Sequence, residues 1–164
     1  MILQRDARGA VEIWESSDIN DRYCGDCFIL HRLMEFKQRL LTEHPFRADD
    51  GHLLRSLHEV MIDNWFHHNG IQHEVERRVP VSNRLMYCDW YLPQWDIYVE
   101  YWGLTNEELY REARRVKERL YRQAHFDLRS IEPEDMANLD EILRYKFRDI
   151  LERRHTEDLS LIHI

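Results

Sequence analysis

The chain has few of the residues that build disulfide frameworks, flexible linkers or membrane spans. It contains only three cysteines, four prolines and five glycines among 164 residues. Three cysteines cannot all pair within one chain, so we expect reduced thiols and a cytoplasmic protein. No apolar run approaches the roughly 20 residues that cross a bilayer, and the first residues lack the apolar stretch of a signal peptide. We therefore expect no membrane association.

A net positive charge is also missing. The formal charge of −8 excludes a histone-like coat of positive charge, although an acidic protein can still carry a basic patch. Arginine and lysine gather at Arg77 and Arg78 and along residues 111–122. This pattern favours a phosphate-facing surface in the middle of the chain, and an ordinary solvated helix face is the alternative.

Hydrophobic periodicity predicts helices and strands after a polar stretch, residues 1–27, that favours neither. A helix is predicted over residues 28–41, and the His44-Pro45 step ends it. Asp49 or Asp50 is predicted to cap a second helix that runs to about His68. The length of the chain suits one domain with an extra subdomain.

The rest of the chain is predicted to form three strands, a helix, a fourth strand and a last helix. Three strands are predicted at residues 74–80, 85–91 and 97–102. A helix follows from a Thr105–Glu108 capping box to about Gln123, then a fourth strand at 126–131 and a last helix from Pro133 to about Arg154. The predicted divisions are an N-terminal extension with one helix (1–47), a core (48–154) and a C-terminal tail (155–164).

Two acids occupy mirror positions on a predicted β-hairpin. Folding residues 87–103 about the midpoint between Gln94 and Trp95 sets Asp89 opposite Glu100 on one face. Opposed side chains lie about 5 Å apart, and like charges there are destabilising. We therefore expect a hard divalent cation between the two acids. An edge hairpin with both acids in solvent is the alternative.

The predicted order from residue 49, α-β-β-β-α-β and then a helix, resembles the PD-(D/E)XK nuclease superfamily over residues 49–151. The supporting segments are Arg55-Ser56-Leu57-His58-Glu59, Val75-Glu76-Arg77-Arg78-Val79-Pro80, Asp89-Trp90-Tyr91, Val99-Glu100-Tyr101-Trp102-Gly103 and the helix with Tyr110, Arg114, Lys117 and Tyr121. The resemblance implies an α/β fold like that of restriction endonucleases, a mixed sheet flanked by helices, with an N-terminal helical extension and a C-terminal helix.

The resemblance also implies roles for single residues. Asp89 and Glu100 resemble the metal-binding acids of the superfamily, and the carbonyl of Tyr101 would be a further ligand. Glu59 resembles the acid of the first helix, which completes the metal site or orients the attacking water. Together with Lys117, these acids are the candidate catalytic residues.

The sequence departs from the superfamily at one position. Trp102 stands where the lysine of the D/E-x-K element is expected. Lys117-x-x-x-Tyr121 resembles the Q-x-x-x-Y element of the recombination-nuclease branch, and Lys117 is the candidate to replace the missing lysine. A solvated lysine paired with Glu118 is the alternative.

These observations predict a Mg²⁺-dependent nuclease that hydrolyses phosphodiester bonds in DNA, with Mn²⁺ able to substitute. A helicase or another DNA-processing protein is a partner by analogy. A catalytically inactive nuclease-fold module that binds DNA or a partner protein is the alternative function, and the missing lysine supports it. The candidate nucleic-acid contacts are Arg55, Arg77, Arg78, Tyr110, Arg114, Arg115 and Tyr121. An i,i+4 ion pair with Glu59 explains Arg55 equally well.

Four further side chains are candidate ligands or acids. Asp63, one turn after Glu59, is expected to face water. Cys24-x-x-Cys27 has no second ligand pair at suitable spacing, so reduced thiols are favoured over zinc. Inclusion of His58 in the site is doubtful, because it lies about 100° from Glu59 around the helix.

Overall fold

The expected α/β fold class is confirmed by a computed structural model, which describes residues 2–5, 11–14, 25–81, 84–104 and 106–162. Helices pack on a mixed four-stranded sheet. The elements in chain order are β1 (Ile2–Arg5), β2 (Val11–Trp14), α1 (Asp26–Glu43), β3 (Phe46–Arg47), β4 (Leu53–Leu54), α2 (Leu57–His68), β5 (Glu74–Val75), β6 (Trp90–Leu92), β7 (Ile97–Tyr101), α3 (Glu108–Gln123), β8 (Asp127–Ile131), a 3-10 helix (Pro133–Asn138), α4 (Leu139–Lys146) and α5 (Arg148–Ile162).

The sheet has the strand order β5-β6-β7-β8, and the predicted α-β-β-β-α-β order runs from α2 to β8. Strands β5, β6 and β7 are antiparallel neighbours, whereas β8 pairs with β7 in parallel. Parallel neighbours need a crossover connection, and α3 supplies it. None of the described helices is long and apolar enough to cross a membrane.

The β6–β7 hairpin has the predicted register. Trp90 lies opposite Val99, and Leu92 lies opposite Ile97. The turn occupies residues 93–96, as expected. Extending this register by one residue brings Asp89 opposite Glu100 at the open end of the hairpin.

Apolar residues cover both faces of the sheet. On one face, Trp90 and Val99 share a core with Phe66 of α2 and Phe147. On the other face, Tyr91 and Tyr98 pack with Leu30 of α1 and with residues of α3. Cys88 is buried, as expected for a core residue. Because side chains alternate along a strand, Asp89 and Glu100 belong to the face that α1 and α3 cover.

The start of α2 differs from the prediction. Residues 46–54 form the small β3–β4 hairpin, so neither Asp49 nor Asp50 caps the helix. Ser56 is the N-cap, and its hydroxyl accepts a hydrogen bond from the Glu59 amide. The Ser-x-x-Glu pattern, as in a capping box, explains this choice. The Glu59 carboxylate accepts from the backbone N–H of Arg55, the residue before the cap.

The predicted last helix is divided into three pieces. A 3-10 helix precedes α4, and the chain leaves helical geometry at Phe147, which is fully buried. Helix α5 then runs without interruption from Arg148 to Ile162, across the predicted boundary at residue 155.

Other boundaries shift by smaller amounts. The first strand of the sheet is short because Glu76 has φ +52°, beyond which only an isolated Arg78–Tyr87 bridge continues the pairing. Helix α3 begins at Glu108, and Thr105 of the predicted capping box lies outside the described residues. A short β1–β2 hairpin lies within the unassigned polar stretch.

Candidate functional site

Three acids and three basic side chains meet beneath α1 and α3, where the hairpin opens. Among them, Glu59 is 6% exposed and Asp89 2%, while Glu100 and Lys117 are essentially inaccessible. This carboxylate cluster consists of Lys37, Arg55, Glu59, Asp89, Glu100 and Lys117. The structure thus brings together all four sequence-predicted catalytic residues.

Asp89 is fully engaged by donors. Its Oδ1 accepts from Lys37 Nζ and from Arg55 Nη2, each at 2.8 Å, and its Oδ2 accepts from the Tyr101 N–H at 2.8 Å. Burial opposes ionisation, but the positive charges of Lys37 and Arg55 outweigh it and hold the pKa of Asp89 well below its usual range. Side-chain cations therefore relieve the repulsion that sequence reasoning assigned to a bound metal.

Glu100 is paired with two residues of α3. Lys117 Nζ lies 2.5 Å from Glu100 Oε1, and the Tyr121 hydroxyl donates to the same oxygen at 2.8 Å. Lys117 also donates to the Tyr87 carbonyl at 2.7 Å, so it is not a solvated lysine. Burial raises the pKa of Glu100 and lowers the pKa of Lys117. The second oxygen, Oε2, is buried and has no hydrogen-bond partner among the described residues.

Arg55 joins the two acids of the cluster that lie nearest α2. Its Nη2 donates to Glu59 Oε1 at 2.9 Å as well as to Asp89, and its Nη1 contacts Glu76. The Arg55 side chain is 6% exposed. The sequence analysis offered two roles for Arg55, a contact with nucleic acid and an i,i+4 ion pair with Glu59. The structure contains the ion pair.

The other predicted site residues divide into buried and exposed groups. Tyr101 donates its amide to Asp89, while its hydroxyl lies 2.5 Å from His58 Nδ1. Trp102 is buried, with the Lys117 ammonium 5.9 Å from its ring centre. Tyr121 belongs to the environment of Glu100 rather than to the surface.

The predicted DNA-contacting arginines are mostly held by acids. Arg77 pairs with Glu74 and lies 4.0 Å from the centre of the Tyr91 ring. Arg114 forms a two-pronged contact with Glu132 at 2.9 and 2.5 Å. Arg78 and Arg115 are exposed, while Tyr110 is half-buried.

A cavity of about 220 Å³ lies beside the carboxylate cluster. Lys37, Glu76 and Lys117 line it, together with apolar side chains of α1. Pockets that enclose whole small molecules usually start at about 300 Å³. The cavity therefore has room for a phosphate group and water, but not for a whole nucleotide.

A second cluster lies one turn further along α2. Asp50, His52, Asp63 and His73 each offer a ligand atom, and these atoms all lie within 4.8 Å of one another. No other group of three or more His, Cys, Asp or Glu residues within the described part of the chain meets this condition. These four residues, the Asp/His cluster, are a possible metal site. Cys24 of the weighed thiol pair lies outside the described residues.

Asp63 is the centre of the Asp/His cluster. It is fully buried, so the expectation that it faces water is wrong. Trp90 Nε1 donates to Asp63 Oδ2 at 3.0 Å, while Oδ1 lies 3.2 Å from His73 Nε2. Burial opposes ionisation, but the adjacent imidazole of His73 and the hydrogen bond from Trp90 lower the pKa of Asp63 to about 2.

Asp50 and His52 reach the cluster from the β3–β4 hairpin. Gly51 between them has φ +94°, a conformation that other residues rarely adopt, and the chain turns there. Asp50 Oδ1 accepts from the His52 amide, which leaves Oδ2 2.9 Å from His52 Nδ1 and 2.8 Å from His73 Nε2. Sequence reasoning missed this group, because its members come from three separate segments.

No protein-family model, no curated protein and no solved structure matches the chain. Functional inference therefore depends on the chemistry of these two clusters.

Proposed function

We propose that the protein is a Mg²⁺-dependent nuclease that hydrolyses phosphodiester bonds in DNA at the carboxylate cluster. One observation carries the proposal. The ammonium group of Lys117 lies 2.5 Å from Glu100, although Trp102 has replaced the lysine expected on the strand itself. The acid–lysine pair that the resemblance requires is thus present, with its lysine supplied by α3.

The ligand set suits a hard divalent ion. Carboxylate and carbonyl oxygens are the ligands that Mg²⁺ prefers, and Asp89, Glu100, Glu59 and the Tyr101 carbonyl are the candidates. Within the described part of the chain, Glu100 Oε2 is a buried acceptor without a hydrogen-bond partner, which costs free energy unless something occupies it. A bound ion would polarise the phosphate and lower the pKa of the attacking water. Mn²⁺, with similar ligand preferences, would substitute.

The surrounding side chains have separate tasks in this proposal. Lys117 would stabilise the negative charge that grows on the phosphate, as fixed positive groups do in other phosphoryl-transfer sites. Tyr121 fixes the orientation of Glu100 through its hydroxyl. Arg55 holds Glu59 and Asp89 in one arrangement, so that Glu59 can orient the attacking water.

Lys37 and α1 control access. The Lys37 ammonium occupies Asp89 Oδ1, so a divalent ion that binds Asp89 competes with it. The cavity beside the cluster is too small for a nucleotide and is lined by α1. Substrate binding therefore requires α1 to move away from the sheet, which would also withdraw Lys37.

Cleavage assays test the proposal directly. Labelled single- and double-stranded DNA is incubated with the protein and Mg²⁺, Mn²⁺ or EDTA. We expect metal-dependent cleavage by the wild type, none by Glu100→Gln, and a rate at least roughly 100-fold lower for Lys117→Ala with DNA affinity little changed. Lys146→Ala is the matched control, because Lys146 also donates to a backbone carbonyl but contacts Asp135 instead of the cluster. Equal rates for both lysine variants would refute the role of Lys117.

Salt dependence tests the DNA contacts. Each neutralised phosphate contributes about 0.9 to the log–log slope of affinity against salt on duplex DNA. Arg78 and Arg115 are exposed, and replacing either with alanine should lower this slope by that amount. Fluorescence anisotropy of labelled DNA at several salt concentrations measures the slope. Arg144→Ala, an exposed arginine of α4 paired with Asp140, should leave the slope unchanged. A helicase or other DNA-processing partner remains a prediction by analogy.

One observation favours a second function, a catalytically inactive module that binds DNA or a partner protein. Lys37, Arg55 and Lys117 already compensate the acids, so the cluster is a stable structural element without any metal. In that case no divalent metal supports cleavage, while binding persists in Glu100→Gln. The assays above separate the two functions.

A further inference from the structure

We propose that Asp50, His52, Asp63 and His73 bind a transition-metal ion of the Zn²⁺ type, which fastens α2 to the segments on either side of it. The proposal is independent of the nuclease proposal, because none of its ligands belongs to the carboxylate cluster. It rests on the distances among the ligand atoms, on an unpartnered buried nitrogen and on the groups that orient the ligands.

The distances match the spacing of a four-coordinate site. Ligands at 2.0–2.1 Å from zinc in a tetrahedron lie about 3.4 Å from one another. His52 Nδ1 lies 2.9 Å from Asp50 Oδ2 and 3.4 Å from Asp63 Oδ1. His73 Nε2 lies 2.8 Å from Asp50 Oδ2 and 3.2 Å from Asp63 Oδ1. Two nitrogens and two carboxylates from three segments of the chain thus lie within 4.8 Å of one another.

The nitrogen of His73 that faces the cluster lacks a hydrogen bond. The side chain is 5% exposed, and Nε2 is buried without a hydrogen-bond partner among the described residues. Oxygens of Asp50 and Asp63 lie within hydrogen-bond distance of Nε2. A proton on Nε2 would not point at either oxygen, so no hydrogen bond forms. Nδ1 lies 2.7 Å from the Ile71 carbonyl, to which it can only donate. In the neutral ring, Nε2 therefore presents a lone pair to the cluster, as a metal ligand does.

Hydrogen bonds to neighbouring groups fix the orientation of the ligands, as is usual in metal sites. A metal-binding histidine usually donates its other N–H to a carbonyl or carboxylate, which fixes the tautomer, and Ile71 does this for His73. Trp90 and the His52 amide hold Asp63 and Asp50 through one oxygen each. Each carboxylate therefore keeps one oxygen for the ion.

The ligand types select the metal class. Imidazole nitrogen suits zinc and its first-row neighbours, whereas Mg²⁺ and Ca²⁺ prefer oxygen ligands throughout. Four protein ligands leave no open position, which is the pattern of structural rather than catalytic zinc. The ion would link the β3–β4 hairpin, the middle of α2 and the residue before β5. It would stabilise the fold without taking part in hydrolysis.

Metal content and stability test the proposal. Untagged protein is stripped with chelator, loaded with Zn²⁺, dialysed and measured by inductively coupled plasma mass spectrometry. We expect one Zn²⁺ per chain, a melting temperature raised by roughly 5 to 10 °C at free Zn²⁺ a hundredfold above the Kd, and visible absorption typical of tetrahedral coordination with Co²⁺. Mg²⁺ at the same concentration should give no such shift.

Three variants keep the test decisive. His52→Ala removes the more accessible ligand, at 31% exposure, and should abolish both the bound zinc and the thermal shift while the chelated protein still folds by circular dichroism. His67→Ala, an exposed histidine of α2 outside the cluster, should retain one Zn²⁺. Glu100→Gln should also retain one Zn²⁺, although it alters the carboxylate cluster. This result would separate the zinc proposal from the nuclease proposal. If wild type and His52→Ala bind equal zinc, or if the wild type binds none, the four residues form a proton-bridged network and the proposal fails.

Discussion

The two clusters lie one helical turn apart on α2 and balance their acids in opposite ways. Glu59 belongs to the carboxylate cluster, where permanently charged ammonium and guanidinium groups of Lys37, Arg55 and Lys117 lie against the acids. Asp63 belongs to the Asp/His cluster, where the partners are imidazoles. An ammonium has no lone pair to give to a metal, whereas a neutral imidazole has one. The acids of the first cluster are therefore compensated by groups that cannot bind a metal, and those of the second by groups that can.

Asp89 and Trp90 show how neighbouring residues separate the two environments. They are adjacent at the start of β6, and their side chains point to opposite faces of the sheet. Asp89 meets Lys37 and Arg55, while the Trp90 indole donates to Asp63. A small shift in register would exchange the two faces, so the hairpin turn determines both clusters together.

The largest expected effect concerns the pair in the carboxylate cluster. Lys117→Met leaves Glu100 buried without its cation, which should cost about 3–5 kcal/mol of unfolding free energy. Urea titration of metal-free protein measures it. Lys117→Met combined with Glu100→Gln should recover most of the loss, because the buried charge is then absent. A loss in the double variant as large as in the single one would show that packing, rather than charge, dominates.

A somewhat smaller effect is expected at Asp89. Asp89→Asn weakens charge-assisted hydrogen bonds from Lys37 and Arg55 and should lower stability by about 2–3 kcal/mol at pH 7. The pKa of Asp89 is depressed in the folded protein, so its contribution is fully present above the unfolded pKa of about 4. It is lost as the pH falls below that value. Urea titrations from pH 7 to pH 3 should therefore show the two proteins converging, and a constant difference would contradict the charge argument.

A moderate effect is expected at the Asp/His cluster. Trp90→Phe removes the N–H that orients Asp63 and should weaken Zn²⁺ binding by about tenfold or more, measured by competition with a chelating dye. Trp65→Phe is the control, because this buried indole also donates to an aspartate, Asp140, outside the cluster. Equal affinities in the two variants would argue against Trp90 as an orienting group.

The smallest expected effect is the coupling between the clusters. Distant changes usually add to within about 0.3–0.5 kcal/mol. The combined variant His52→Ala with Lys117→Met should therefore lose the sum of the two single losses in metal-free protein. A coupling above about 1 kcal/mol in the urea titrations would show that α2 transmits strain from one cluster to the other.

The sequence predicted the carboxylate cluster better than the Asp/His cluster for a physical reason. Register in a hairpin follows from its turn, so the pairing of Asp89 with Glu100 could be worked out from residues 87–103 alone. The neutralising Lys37 could not, because α1 reaches the sheet through tertiary packing that no local pattern encodes. The Ser56-x-x-Glu59 capping box was visible in the sequence, yet Asp49 and Asp50 competed as caps.

The Asp/His cluster had a weaker signal. Its four ligands are spread over residues 50–73 with unequal spacing, and no local motif links them. Asp63 lies one turn after Glu59, on nearly the same face of α2, yet the sequence analysis predicted that it faces water. Both sides of α2 are in fact covered, one by the β3–β4 hairpin and the other by the sheet. Gly51 between an aspartate and a histidine was the most useful local sign of a turn that presents two ligands.

The parallel pairing of β7 with β8 also determines the order in which the chain can assemble. Glu100 lies opposite Ser130, and the two strands can pair only after α3 has crossed over between them. Lys117 belongs to that crossover, so the connection that lets β7 and β8 pair also carries the cation that compensates Glu100. Nonlocal contacts such as β7–β8 form slowly. A chain interrupted before α3 would therefore present the hairpin acids without Lys117.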